Sequence, residues 1–148
     1  MDIKDIAKAA KEASLELLGA SEELKNLALK KVKENIEKNK DEIFAANKKD
    51  LDEAKSLVDS GEITSSTYAR LKLDENKMRD MLKGIEDVIS LQDPVNKVFW
   101  TKELDEGLIL KKVSCPIGVI GVIFEARPDV ISQIASLAIK SGNAVILK

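Results

Sequence analysis

Apolar positions recur at helical spacing through the first ninety residues, and beyond that the period changes. Ile3, Ile6, Ala7, Ala10, Ala13, Leu17 and Leu18 fall three and four residues apart, which places them on one face of a helix over residues 2–18. Asp2 is placed to cap its start and Gly19 to supply a left-handed residue at its end. Ser21 reads as the next N-cap. Leu24, Leu27, Ala28, Val32 and Ile36 form the stripe of a second helix, with lysines and glutamates opposite. Asp41 opens a third through Ile43, Phe44 and Ala46. Asp50 caps a restart ahead of Leu51, Ala54, Leu57 and Val58, and Gly61 stops it. A short helix is expected over 66–71. A longer one starts at Asp74 and uses Met78, Met81, Leu82, Ile85, Val88 and Ile89. Asp93-Pro94 closes the helical region, because a residue before proline avoids the helical well.

Residues 98–102 and 108–114 flank a polar turn that holds Asp105 and Gly107, the pattern of a β-hairpin. Two strands alone are marginal in water, so this hairpin calls for another surface. Residues 118–124 form a continuous apolar strand, the pattern of a central parallel strand buried on both faces. Glu125-Ala-Arg-Pro128 is a turn, with Pro128 suited to a first helical position. Residues 129–140 make a helix apolar nearly all round and therefore expected to be buried. Ser141-Gly142-Asn143 ends it, and 144–148 is a second strand. Residues 117–148 are thus one βαβ unit, expected to be right-handed. One helix cannot cover both faces of such a pair, so the fold read here is α/β and truncated, its partners lying outside this chain. The organisation expected is a helical part at 1–93, a hairpin arm at 94–116 and the start of a parallel-sheet core at 117–148.

Charge follows the same division: 38 charged residues lie in 1–93, seven in 94–116 and five in 117–148. Hydrophobic residues make up 44% and charged residues 34% of the 148, which excludes a mostly disordered chain. No apolar run approaches the roughly 18 residues of a spanning helix, and the amino terminus is not a secretory signal, so no membrane role is expected. A net charge of −2 and 3% aromatic residues argue against nucleic-acid binding. A lone cysteine excludes an intramolecular disulfide and suits a reducing cytoplasm. The absence of histidine excludes a Ser-His-Asp triad, a Cys-His dyad and a histidine-built zinc site within this chain.

Candidate chemistry gathers beyond the carboxyl ends of the two parallel strands, at residues 124–127 and at Lys148, where ligands of such sheets sit. The dinucleotide fingerprint G-x-G-x-x-G is absent. Gly118 and Gly121 lie within the strand, where they read as permitting close packing. Cys115 has no histidine to activate it and reads as a small buried hydrophobe. Glu125 and Arg127 stand alone in an apolar stretch. For Arg127 two readings stand level: a solvent-facing salt bridge, or a fork that holds an anionic substrate group. Lys30, Lys31, Lys33, Lys38 and Lys40, interleaved with Glu34 and Glu37, read as a solvated face.

Pro116-Ile-Gly-Val-Ile-Gly-Val-Ile-Phe-Glu-Ala-Arg-Pro-Asp129, followed by Lys140-Ser-Gly-Asn-Ala-Val-Ile-Leu-Lys148, strongly resembles the γ-glutamyl phosphate reductases, also called glutamate-5-semialdehyde dehydrogenases. Leu24-Lys-Asn-Leu-Ala, Asp41-Glu-Ile-Phe-Ala-Ala-Asn-Lys-Lys-Asp-Leu and Leu91-Gln-Asp-Pro-Val add to the resemblance, which runs along essentially the whole chain. Phe-Glu-Ala-Arg-Pro is its specific part. Gly-Val-Ile-Gly and Ser-Gly-Asn-Ala-Val are shared more widely with aldehyde dehydrogenases.

The resemblance implies an oxidoreductase of proline biosynthesis and the amino-terminal part of a Rossmann-type, aldehyde-dehydrogenase-like cofactor domain. It implies NADPH-dependent reduction of L-glutamyl 5-phosphate to glutamate 5-semialdehyde and phosphate, through a cysteine thioacyl enzyme. That cysteine is expected beyond residue 148, and Cys115 does not match its motif. No catalytic residue is therefore expected within the chain. Ile123, Phe124, Glu125 and Ala126 match the segment beside the cofactor, and Lys148 the lysine that meets the adenosine ribose. Arg127 falls where many aldehyde dehydrogenases carry an asparagine, and is expected to recognise the acyl phosphate. The hairpin resembles an oligomerisation arm. Cytoplasmic location, a homo-oligomer and association with glutamate 5-kinase belong to the same expectation. Two other readings are a non-catalytic helical interaction module and a CoA-acylating aldehyde dehydrogenase, the latter opposed by the Phe-Glu-Ala-Arg-Pro turn.

Overall fold

The computed structural model describes residues 2–148, and these form six helices and two separate two-stranded sheets. Five helices come first: α1 (Ile3–Leu18), α2 (Glu22–Lys38), α3 (Lys40–Asp59), α4 (Ser65–Leu71) and α5 (Glu75–Ser90). The caps are local. Ser21 Oγ accepts from the Leu24 N–H at 3.2 Å and Thr64 Oγ1 from the Thr67 N–H at 3.1 Å. Asp74 Oδ1 accepts from the Lys77 N–H at 3.0 Å, and that bond holds its carboxyl below the usual value. A serine or threonine cap of this kind contributes about 1 kcal/mol.

Five expectations at these helices are corrected. Asp2 makes no side-chain cap bond, and Gly19 ends α1 at φ −87°, in the right-handed region. The α1 end is closed by 3₁₀-type bonds to Glu16 and Leu17, so no left-handed residue is needed. Helix α3 begins at Lys40 rather than Asp41 and runs unbroken past Asp50, since Asn39 serves as both the end of α2 and the start of α3. The stripe of α2 is rotated: Leu24, Leu27 and Ala28 are exposed, and Lys25, Leu29, Val32 and Ile36 face inward. The apolar count alone favoured Leu24 and Leu27. The inward face is decided by where α5 and α6 lie.

The helical core joins Leu73, Met78 and Met81 to Ile36, Ile43, Phe44 and Leu82. Leu29 and Ile85 are sealed beside it, and each such side chain contributes roughly 1.5–3 kcal/mol relative to exposure. Asn47 fastens the link between α4 and α5: its amide donates to the Leu71 carbonyl and its oxygen accepts from the Leu73 N–H, both at 2.8 Å. Lys33 and Lys40 leave the expected solvated face and cross to α5, meeting Glu86 and Glu75 at 2.6 Å each.

The hairpin is β1 (Val98–Asp105) with β2 (Leu108–Val113), so its first strand runs three residues further than expected, to a turn at 106–107. All its residues are exposed. The βαβ unit is β3 (Val119–Val122), α6 (Val130–Lys140) and β4 (Ala144–Leu147), with the strands parallel and Val119 opposite Ala144. Helices α1 and α6 both pack against the strand pair. Burial on both faces of the first strand is not seen: its residues are half-buried, Gly121 is exposed, and Ile123 just beyond is 85% exposed. The edges of β3 and β4 have no further strand among the described residues.

Three local expectations also change. Pro128 lies in a turn before α6 rather than at its first position, and Val130 donates back to Arg127 at 3.2 Å. Helix α6 is not buried all round: Ile131 and Leu137 are about half exposed, and the inward row includes Ser132, Ser136 and Lys140. Gly118 and Gly121 have open space where a Cβ would stand. Gly118 is instead required by a φ of +114°. The close approach falls on Gly142, at φ +71°, where a Cβ would sit 2.9 Å from Pro116 Cγ.

Candidate functional site

Register brings the two strand ends together. Beyond the paired residues, Lys148 N–H donates to the Val122 carbonyl and Phe124 N–H to the Lys148 carbonyl, each at 2.9 Å. Phe124 and Lys148 are therefore neighbours at the carboxyl end of the parallel pair. The other end is pinned by Asn143, whose Oδ1 accepts from the Gly118 N–H while Ala144 N–H donates to the Gly118 carbonyl, both at 2.8 Å. The Asn143 amide donates in turn to Ser141 Oγ at 2.8 Å. A parallel pair of four residues holds few ladder bonds, so this buried side chain carries much of its register.

Past Phe124 the chain reverses at Ala126, which takes a φ of +53°. A left-handed alanine costs roughly 1–2 kcal/mol, and such strain gathers where a backbone must be aimed. Ile123, Glu125 and Arg127 are exposed on this turn, and Lys148 is exposed beside it. Arg127 pairs with Asp129 at 3.3 Å rather than with Glu125. Asp129 also accepts from the Gln133 side-chain amide at 3.0 Å. The guanidinium is about half exposed, so the contact is a surface pair of small net strength.

An apolar groove of about 480 Å³ begins at Pro128 and runs between α2, α3 and α6 over Ile36, Ile43, Met81 and Ile131. No cation lines it. The exposed cations Arg127 and Lys148 lie at the turn and the strand end, outside this groove. Cys115 is exposed, which overturns its reading as a buried hydrophobe. It lies in the segment between β2 and β3, where no other element covers it.

Two buried lysines escaped the sequence reading. Lys25, 2% exposed, pairs with Asp93. Lys140, 3% exposed, donates to Glu22 at 3.2 Å, Asn26 at 2.8 Å and the Ile89 carbonyl at 3.1 Å. Burial pushes the Asp93 carboxyl up, but the Lys25 and Val95 hydrogen bonds, with the charges of Lys25 and Lys140, hold it below the usual value. A signal for Lys140 was present: Ser132, Ser136 and Lys140 are four residues apart, one polar row on an apolar helix. Lys25 is likewise in line with Leu29.

This is an α/β arrangement in which a short parallel pair, a left-handed turn and an exposed lysine meet at one edge. Solved structures share the overall fold. A yeast gamma-glutamyl phosphate reductase from Saccharomyces cerevisiae is 43% identical with a TM-score of 0.88, over 97% of this chain and 36% of that one. The gamma-glutamyl phosphate reductase of Thermotoga maritima is 35% identical with a TM-score of 0.90, over 99% of this chain and 34% of that one. Among curated relatives, the gamma-glutamyl phosphate reductase of Brachyspira hyodysenteriae is 58% identical over 148 residues, all of this chain and 34% of that protein. That of Methanosarcina barkeri is 50% identical over 147 residues, 99% of this chain and 33% of that protein. No family model matches. Along its whole length the chain is similar to an amino-terminal part of gamma-glutamyl phosphate reductase, and it spans about a third of the length of the curated relatives it matches. Among the described residues, no helix is long and apolar enough to cross a membrane.

Proposed function

We propose that the protein carrying this chain reduces L-glutamyl 5-phosphate to glutamate 5-semialdehyde with NADPH, and that these residues build one wall of its cofactor cleft. The observation that supports this reading is the 58% identity with a protein of that name along all 148 residues. The Phe124–Lys148 juxtaposition fits it. An exposed residue, Lys148, at the end of β4 suits a ribose or its 2′-phosphate, and the turn from Ile123 to Ala126, with Ile123 and Glu125 exposed, suits a flat ligand laid along the strand end. NADPH supplies the hydride when bound.

In this reading Lys148 binds and orients, and the left-handed Ala126 aims the turn. Arg127 exchanges Asp129 for the acyl phosphate, where its planar fork makes two charge-assisted bonds instead of one long surface contact. Residues 1–93 and 117–148 belong to the Rossmann-type cofactor domain, and 94–116 to an arm that meets a second subunit. The nucleophile comes from outside these residues.

The test is made on the protein that carries the chain. NADP-dependent oxidation of glutamate 5-semialdehyde in the presence of phosphate is expected; a folded protein inert in both directions overturns the proposal. Lys148→Ala is expected to raise KM for NADPH more than for NADH, and equal losses remove the 2′-phosphate assignment. Arg127→Ala is expected to lower kcat/KM for the acyl phosphate roughly 10–100-fold with Tm unchanged. Unaltered kinetics would reduce Arg127 to a surface charge.

A further inference from the structure

The hairpin arm poses a mechanical question. Every residue of β1 and β2 is exposed, including Val98, Phe99, Trp100, Leu108, Ile109 and Leu110. A two-stranded ribbon with no surface beneath it takes its direction only from its root.

At that root most bonds join the arm to itself. Asn96 N–H donates to the Ser114 carbonyl at 3.0 Å, and Ser114 N–H to the Lys97 carbonyl at 2.9 Å. Ser114 Oγ accepts from Lys97 N–H at 2.8 Å and donates to the Pro94 carbonyl at 2.6 Å. Asn96 is held at φ +60°, a left-handed conformation uncommon outside glycine and stabilised here by its surroundings. These contacts close the root but do not orient it.

Asp93 does. Its Oδ1 accepts from the Val95 N–H at 2.9 Å, on the arm side. Its Oδ2 meets Lys25 Nζ, buried in α2, on the helical side. One carboxylate thus links the two bodies through its two oxygens. Lys140, anchored by Glu22, Asn26 and the Ile89 carbonyl, stands near enough to act on Asp93, whose own charge pushes upward on the Glu23 carboxyl. Two further fastenings are seen at the root: Lys97 Nζ donates to Gln92 Oε1 at 2.8 Å on the exposed side, and Val95 and Pro116 close over Gly142.

We propose that the Lys25–Asp93 ion pair is a strut that sets the angle of the hairpin arm on the helical layer, so that the arm's exposed apolar side chains are offered in one direction. Burial gives the strut its stiffness. A lysine 2% exposed is shielded from water, so the pair stays closed where a surface pair would flicker. The inference is independent of the cofactor reading, since it concerns only the joint between arm and helices.

Trp100 lies on β1 and is the only tryptophan of the chain, so its own fluorescence reports the arm. Time-resolved anisotropy of Trp100 and amide exchange at Asn96 and Ser114 are measured for the full chain and for Asp93→Asn, Lys25→Met and the double variant Lys25→Met/Asp93→Leu. The expected result is a larger fast anisotropy component, with exchange at Asn96 and Ser114 faster by roughly tenfold or more, while Met78 and Ile85 amides keep their protection. The double variant removes both charges at once and leaves no buried ion unpaired, so it folds and decides the matter if a single variant does not. A folded double variant with unchanged anisotropy and exchange overturns the strut and leaves the packing over Gly142 and the Lys97–Gln92 bond as the joint.

Discussion

The helices and the hairpin arm draw on the same kinds of apolar side chain and treat them oppositely. Met78, Met81 and Ile85 on α5 lie within the core, whereas Trp100, Leu108 and Leu110 on β1 and β2 face solvent. The difference is not one of local conformation, since both regions are regular and hydrogen-bonded. It lies in partners: α5 packs against α2 and α6, and the arm packs chiefly on itself. Between these extremes sits the βαβ unit, half-buried by α1 and α6 and open at both sheet edges. Burial in this chain is therefore graded along its length, deepest in the helices and least in the arm.

The comparison breaks most readily at its extremes. Ile85→Ala is expected to destabilise by about 3–4 kcal/mol, since it empties a sealed site. Leu110→Ala on the arm is expected to change stability by less than about 0.5 kcal/mol. Denaturant titration of both variants checks this, and similar losses would mean that the arm contributes to the cooperative fold. Next in size, Lys140→Met is expected to cost about 3 kcal/mol, because Glu22, Asn26 and the Ile89 carbonyl lose their common donor. Lys30→Met on the exposed side of α2 is the matching control and is expected to be neutral. Asn47→Ala is expected to cost about 2 kcal/mol by leaving the buried Leu73 N–H unpaired. Ser21→Ala, at the start of α2, is expected to cost about 1 kcal/mol.

The finest effect is on pH dependence. Asp74, Glu86 and Asp93 all have carboxyls held below their usual values: Asp74 by the Lys77 N–H, Glu86 by Lys33, and Asp93 by its lysines in spite of burial. In acid the unfolded chain then binds more protons than the folded one, so stability falls as pH drops. Their contribution is whole above the unfolded carboxylate values, near 3.8 for aspartate and 4.5 for glutamate, and is lost as pH falls through the lower folded values. Asp93→Asn is expected to flatten this acid slope, measured as denaturation midpoint against pH. An unchanged slope would mean that the pair with Lys25 does not outweigh the burial of Asp93.

Much of this was legible in residue order. Periodicity located all six helices, because apolar residues at helical spacing mark a helix even where its buried side is set elsewhere; Ser21 and Asp74 announced their caps by residue type. The hairpin and the parallel pair followed from the change of period and from Gly107, Pro116 and Gly142. The Phe-Glu-Ala-Arg-Pro turn and Lys148 marked the candidate site by resemblance and by their place at strand ends. What residue order did not disclose are relations between distant segments. Which side of α2 faces inward and why Lys25 and Lys140 are buried depend on elements fifty or more residues away. A lysine scores as polar wherever it stands; only the tertiary arrangement supplied Asp93, Glu22 and Asn26 and made burial affordable. Likewise Cys115 looked like a core residue by type, and it is exposed because nothing in the fold lies over it. Local physics, acting between near neighbours, is written in the sequence. The pairing of charges and the covering of faces are decided when the chain closes on itself, because desolvation depends on all the atoms that arrive.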